Sequence, residues 1–174
     1  MIPSVAALLA EIDAEVATTR RVLERVPAER LEWRPHPKSM TLGQLAQHVA
    51  SIPAVPARIG VQDGFDVSTR SAEYPAAQSP AALVATLDAS IAALREFLSG
   101  LDEERAGASF RLHFGDRDIA RWSRLGLVRT MALNHWYHHR GELAVYLRLL
   151  DVPVPVIYGR SADENPFAAG AAGS

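Results

Sequence analysis

Residues 125–149 read LGLVRTMALNHWYHHRGELAVYLRL, and their spacing decides the fold. Leu125, Val128, Ala132, His135, His139, Glu142, Tyr146 and Leu149 recur at threes and fours, which keeps one stripe on one side of an α-helix. The stripe predicts a long helix over 119–150, with three ionisable residues at positions the pattern reserves for core. At ~100° per residue His139 lies ~40° from His135, so one turn brings both rings within reach of a single ion, while His138 points away. Burying two imidazoles and a carboxylate is costly unless each finds a partner, and a divalent cation satisfies all of them. A buried pair satisfied by Glu142 or by backbone carbonyls gives the same pattern, and H-x-x-x-H alone is a weak signal.

Three more helical stripes lie upstream. Val5, Leu9, Ile12, Val16, Thr19, Leu23 and Val26 predict a first helix over 4–26, stopped by Pro27. Trp33 follows in a proline-rich connection, as a plug for the bundle end. Ser39 or Thr41 can cap a second helix with Leu42, Leu45, Val49 and Ile52 inward; Pro53 and Pro56 kink or end it near Ile52. A long connection leads to Ser79-Pro80, a cap and first-turn proline, before Val84, Leu87, Ile91, Leu94, Leu98 and Leu101. Phe110, Leu112 and Phe114 alternate between Gly107 and Gly115, a pattern suited to a short extended piece. The expected fold class is therefore all-α, a four-helix bundle with long connections and an extended C-terminal tail. Residues 1–167 form one domain, and the Ala/Gly-rich 168–174 has nothing to bury and is expected to be disordered.

Two ligands from one helix leave an ion under-coordinated, so a third should come from a facing helix, where His48 is the only histidine of the second helix. His48 sits at the edge of that helix's apolar arc. His36 and His113 fall in predicted loops.

Composition narrows the functions. The chain has 174 residues, 48% of them hydrophobic, enough for one well-filled core. A net charge of -2 with mixed signs supplies no field for nucleic acid or an anionic membrane. Cysteine is absent, so thiolate ligands and a protein-borne thiol nucleophile are excluded, and thiol chemistry would need an external thiol. The N-terminus lacks the basic and apolar regions of an export signal, and no run approaches the ~18 apolar residues of a membrane span; a cytoplasmic protein is expected.

Ser39-Met40-Thr41-Leu42-Gly43-Gln44-Leu45-Ala46-Gln47-His48, His135-Trp136-Tyr137-His138-His139-Arg140-Gly141-Glu142-Leu143 and the ending Asp151-Val152-Pro153-Val154-Pro155, Tyr158-Gly159, Ser161-Ala162-Asp163-Glu164 together resemble the DinB/YfiT-like proteins. The resemblance implies an up-down-down-up bundle with a three-histidine divalent-metal site, carried here onto His48, His135 and His139. It also implies thiol-dependent transfer or isomerisation of small molecules, the chemistry of many members of known activity, and a homodimer is compatible with members that pair. Glu142 departs from the glutamine usual at its position.

Three imidazoles leave an ion its full charge and an open position, and they suit zinc, nickel and iron alike. The expected partners are a small-molecule substrate and a low-molecular-weight thiol. The alternatives are a non-catalytic metal-binding stress-response bundle and a metallohydrolase using bound water. Glu142 is the candidate catalytic residue, as a base or as the group orienting a histidine; an ion pair with Arg140 or Arg148 is its structural alternative. Arg34, Arg58 and Arg140 read as surface-solvating charges that could also meet an anionic substrate, Tyr146 as core, and Asp163 and Glu164 as a solvated tail.

Overall fold

Hydrophobic stripes at helical spacing must cover one another, and in the computed structural model, which describes residues 2–70 and 75–167, they do so as a helical bundle. In chain order the helices are α1 (Pro3–Glu24), α2 (Leu42–Ser51), α3 (Val55–Ile59), α4 (Pro80–Ser99), α5 (Glu103–Gly107), α6 (Arg124–Leu127) and α7 (His135–Leu149). The strands are β1 (Gly64–Asp66), β2 (Ser109–Phe114) and β3 (Arg117–Ser123). α1 packs between α4 and α7, and α2 packs between the same two helices. The chain from α1 to α2 therefore crosses the end of the bundle. There Leu42 and Gly43 donate backbone hydrogen bonds to the Trp33 and Leu31 carbonyls at 2.7 and 2.8 Å. A Cβ on Gly43 would stand 3.1 Å from the Leu31 oxygen, so this close crossing calls for glycine. Trp33 is half-buried beside the core and meets Tyr146 edge-on, as its placement at the bundle end requires.

Thr41 rather than Ser39 caps α2, in a reciprocal box: its hydroxyl accepts from Gln44 N at 3.1 Å, and Gln44 Oε1 accepts from Thr41 N at 2.9 Å. The prolines that threatened this helix are accommodated by ending it at Ser51. Pro53 lies in a 3-10 turn and Pro56 in the first turn of α3, where no helical N-H is lost. Ser79 caps α4 through Ala82 N, with Pro80 at its first position, as the sequence predicts.

A purely all-α fold is corrected: a three-stranded mixed sheet accompanies the helices, with β1 parallel and β3 antiparallel to β2. The alternation of Phe110, Leu112 and Phe114 indeed forms a strand, with Phe110 and Leu112 inward and Phe114 exposed. Its hairpin partner occupies 117–123, so the last helical stretch begins at Arg124 and not near Ile119. Gly115 turns the hairpin at φ +55°. Opposite the step from Leu112 to His113, β3 carries Ile119 as an extra residue, a bulge that disturbs simple alternation. His113 consequently lies on β2, where its Nδ1 contacts the Gly115 carbonyl, instead of in a loop. Phe110, Leu112 and Leu127 make a small second core, and buried Arg124 ties it to the loop after α3 by donating to the Gly60, Gln62 and Ser109 carbonyls and to Asp63.

Between α6 and α7, residues Val128–Asn134 form a π-helical segment continuous with both. Its wider turns absorb an extra residue and shift the phase of everything downstream. The buried stripe of α7 is accordingly Trp136, Arg140, Leu143 and Leu147, one position later than the spacing suggests. Leu149 is 57% exposed. His135, His139, Glu142 and Tyr146 are half-buried along the flank of that stripe.

The tail beyond α7 is held down, contrary to a solvated reading of its acids. Asp163 takes Arg148 and the Val154 N-H, and Glu164 takes Arg21, Arg25 and the Val156 N-H. Residues 168–174, expected to be disordered, lie outside the described residues. Among the described residues no helix is long and apolar enough to cross a membrane.

Candidate metal centre

α2 and α7 lie side by side, and the flanks they present to each other carry the predicted histidines. His48 Nε2 stands 3.3 Å from His135 Nε2, which stands 2.9 Å from His139 Nε2. The three rings meet edge to face with centroids 4.6–5.0 Å apart. All three residues that the sequence singled out are thus brought together.

The protonation of this group follows from its neighbours. An ionised carboxylate can only accept, so at 2.6 Å His139 Nδ1 donates to Glu142 Oε2, which leaves Nε2 as the His139 atom facing the other two rings. Burial pushes the His48 imidazole down to about 3, helped by the nearby His139, His135, Arg70 and Arg58. Burial likewise lowers His135 to about 4, with His139 adding to the fall and the Met131 backbone opposing it. Both rings are therefore neutral at pH 7. Buried His135 Nδ1 completes no hydrogen bond of good geometry.

Imidazoles converging on one point in this way fit a metal. Hydrogen atoms on two of the rings could at most link them in a chain, whereas a cation accepts every lone pair. Ligand nitrogens ~2.05 Å from a tetrahedral zinc ion are about 3.3 Å apart, close to the spacings found here. The group can hold a divalent ion, with Glu142 orienting His139 as an outer carboxylate.

Glu142 pairs with His139 and, through Oε1, with His138 Nε2 at 3.3 Å, not with Arg140 or Arg148. His138 is otherwise solvent-facing, as expected. Arg34 and His36 sit in the exposed crossing before α2. Tyr146 is half-buried, its hydroxyl 3.4 Å from the Met40 carbonyl. Asp163 and Glu164 are occupied with arginines and tail amides, so they do not serve the centre.

The residue misjudged from sequence is Arg140. It is 1% exposed, paired with Glu15 Oε2 at 2.6 Å, with Thr19 Oγ1 at 3.0 Å and with the Tyr158 hydroxyl at 2.5 Å. Its guanidinium also lies 5.3 and 5.0 Å from the Tyr137 and Tyr158 ring centres. Next to it Arg129 grips Glu11 through two 2.7 Å contacts, and Tyr137 donates to the same carboxylate at 2.9 Å. Thr19, a polar residue inside the first stripe, was the one signal that this core position faces a polar partner.

A family model described as the DinB superfamily matches residues 5–143. The chain belongs to this superfamily. Solved structures share its fold. A protein assigned to the DinB family from Exiguobacterium sibiricum superposes with a TM-score of 0.67 at 24% identity, covering 90% of this chain and 97% of its own. DinB-like proteins from Bacillus subtilis and Bacillus cereus give TM-scores of 0.65 and 0.62 at 16% and 23% identity. Their alignments cover 89% and 83% of this chain, and 99% and 91% of theirs. No curated protein matches the sequence.

Proposed function

We propose that this DinB-superfamily chain is a metal-dependent enzyme that joins a low-molecular-weight thiol to, or rearranges with it, a small-molecule substrate. The observation that carries the reading is the convergence of three imidazoles, two of them held neutral by burial, on a half-buried flank rather than in the sealed core. His48, His135 and His139 hold the ion, and their position between core and solvent leaves it reachable. A divalent ion there supplies Lewis acidity that makes a thiol or water nucleophilic at neutral pH. Without cysteine, the thiol must come from solution. Glu142 acts as a positioning residue, because both its oxygens are engaged by histidines. Three imidazole ligands bring no negative charge, and Arg58 and Arg70 add positive charge near His48, so the site favours an anionic thiol or substrate.

Elemental analysis of untagged wild type and His48→Ala, with thiol-transfer assays on both, tests the reading. Wild type should hold a stoichiometric divalent ion and His48→Ala should lose it together with turnover. Unchanged occupancy in the variant rejects His48 as a ligand. Metal without turnover of any thiol or ester, but with a large drop in melting temperature on chelation, favours an ion whose role is to hold α2 to α7.

A further inference from the structure

Glu142 faces two ways. Its Oε2 accepts from His139, while its Oε1 lies 3.3 Å from Nε2 of His138, whose side chain is 64% exposed. His138, His139 and Glu142 form a second group with donor atoms close enough for an ion, and it shares His139 with the first. His138 and Glu142 are an i,i+4 pair on α7, so the helix itself holds imidazole and carboxylate on one side. The separation of Nε2 and Oε1 suits adjacent ligands on one cation, and exposure lets water fill the remaining positions.

We propose that His138 and Glu142 form an outer, weak divalent-cation site whose occupation opposes metal binding at the three-histidine centre. The inference rests on the reading of that centre given above. The opposition has a physical cause. A cation on Oε1 draws charge from the carboxylate, so Oε2 holds the His139 Nδ1 hydrogen less strongly and His139 becomes a poorer donor. Repulsion between two dications a few ångströms apart acts in the same direction. Linkage makes the effect reciprocal: a filled inner centre weakens the outer site by the same factor. Excess metal should therefore impair a protein that needs the same metal in modest supply.

Titration of the apo full chain with Co²⁺ alone, followed by its visible absorption and by equilibrium dialysis, tests this. Wild type should show a tight class of bound ion, then a weak class whose filling perturbs the absorption of the first. His138→Ala, a change on the exposed face, should lose the weak class and keep the tight one. Glu142→Gln should lose the weak class and also weaken the tight one roughly tenfold, the usual cost of removing an outer-shell partner. His135→Ala should do the opposite, losing the tight class and keeping the weak one. A weak class that survives His138→Ala, or a wild type with only one class, overturns the proposal. A tight class that survives His135→Ala overturns the three-histidine reading itself, and the outer site's opposition to it falls as well.

Discussion

His139 and Arg140 are consecutive on α7, yet the two side chains meet opposite conditions. Arg140 turns into the bundle and finds a carboxylate, two hydroxyls and two aromatic faces, so its charge and hydrogen-bonding capacity are met within the chain. His139 turns toward α2 and finds two neutral imidazoles, which offer it lone pairs instead of complements. The contrast teaches how to tell a structural polar cluster from a ligand site. Burial alone does not do so, because Arg140 is the more deeply buried of the two. Closure does: the Arg140 cluster closes on itself, and under the proposed function the histidine cluster closes around a metal ion.

The sharpest way to break this contrast is to open the closed cluster. Arg140→Ala would leave Glu15 largely buried without its counter-charge, at about 3–5 kcal/mol. At roughly 2–4 °C per kcal/mol for a chain of this size, the melting temperature should fall by about 6–20 °C. Metal content of the folded fraction should be unchanged. Stability preserved in calorimetry would mean that the cluster is not the closed unit described.

Acid should probe the other face of α7. With metal removed, His48 and His135 keep values of about 3 and 4 when folded, against ~6.5 in the unfolded chain. Between pH 6.5 and 4 the unfolded state binds more protons, so their contribution to stability is present above pH 6.5 and is lost progressively as pH falls. The melting temperature of the apo protein should decline over that window, and His135→Ala should decline less. Equal slopes would show that these rings are not held neutral by the fold.

The smallest effect is expected at the tail. The Val156 N-H and Arg21 hold Glu164, and Arg148 and the Val154 N-H hold Asp163, below the ordinary carboxylate range. The fastening they give is present above pH ~4 and lost as pH drops through the lowered values. The protection of the Val154 and Val156 amides, measured against the unstructured exchange rate at each pH, should fall at low pH, and that of Val156 in Glu164→Gln, while the bundle amides keep theirs.

The helical stripes, the proline stops and the cap before Pro80 were legible because each is local, governed by spacing or by a missing donor. The convergence of His48 with His135 and His139 was legible in part, since one turn joins the α7 pair but only packing joins α2. Arg140 was not legible. Its burial depends on Glu15 and Tyr158, 125 and 18 residues away, and on a helix phase that simple threes and fours place one residue early. Strand β3 escaped because the bulge at Ile119 breaks its alternation and because Arg117, Asp118 and Arg121 read as solvent-facing charges on any element.

That phase has a lineage consequence. The π-helical segment at 128–134 winds one residue more into its turns than an α-helix would: take a residue out, and it rewinds as regular α-helix with every later side chain kept on its present face. Trp136 and Arg140 would then still turn into the bundle, and His135 and His139 would still face α2. Both clusters would survive the loss, whereas a residue taken from the regular α-helix of α7 would turn every later side chain by ~100°. Over evolutionary time 128–134 should therefore accept the loss of one exposed residue more readily than α7 does, while its buried Val128, Ala132 and Leu133 resist substitution.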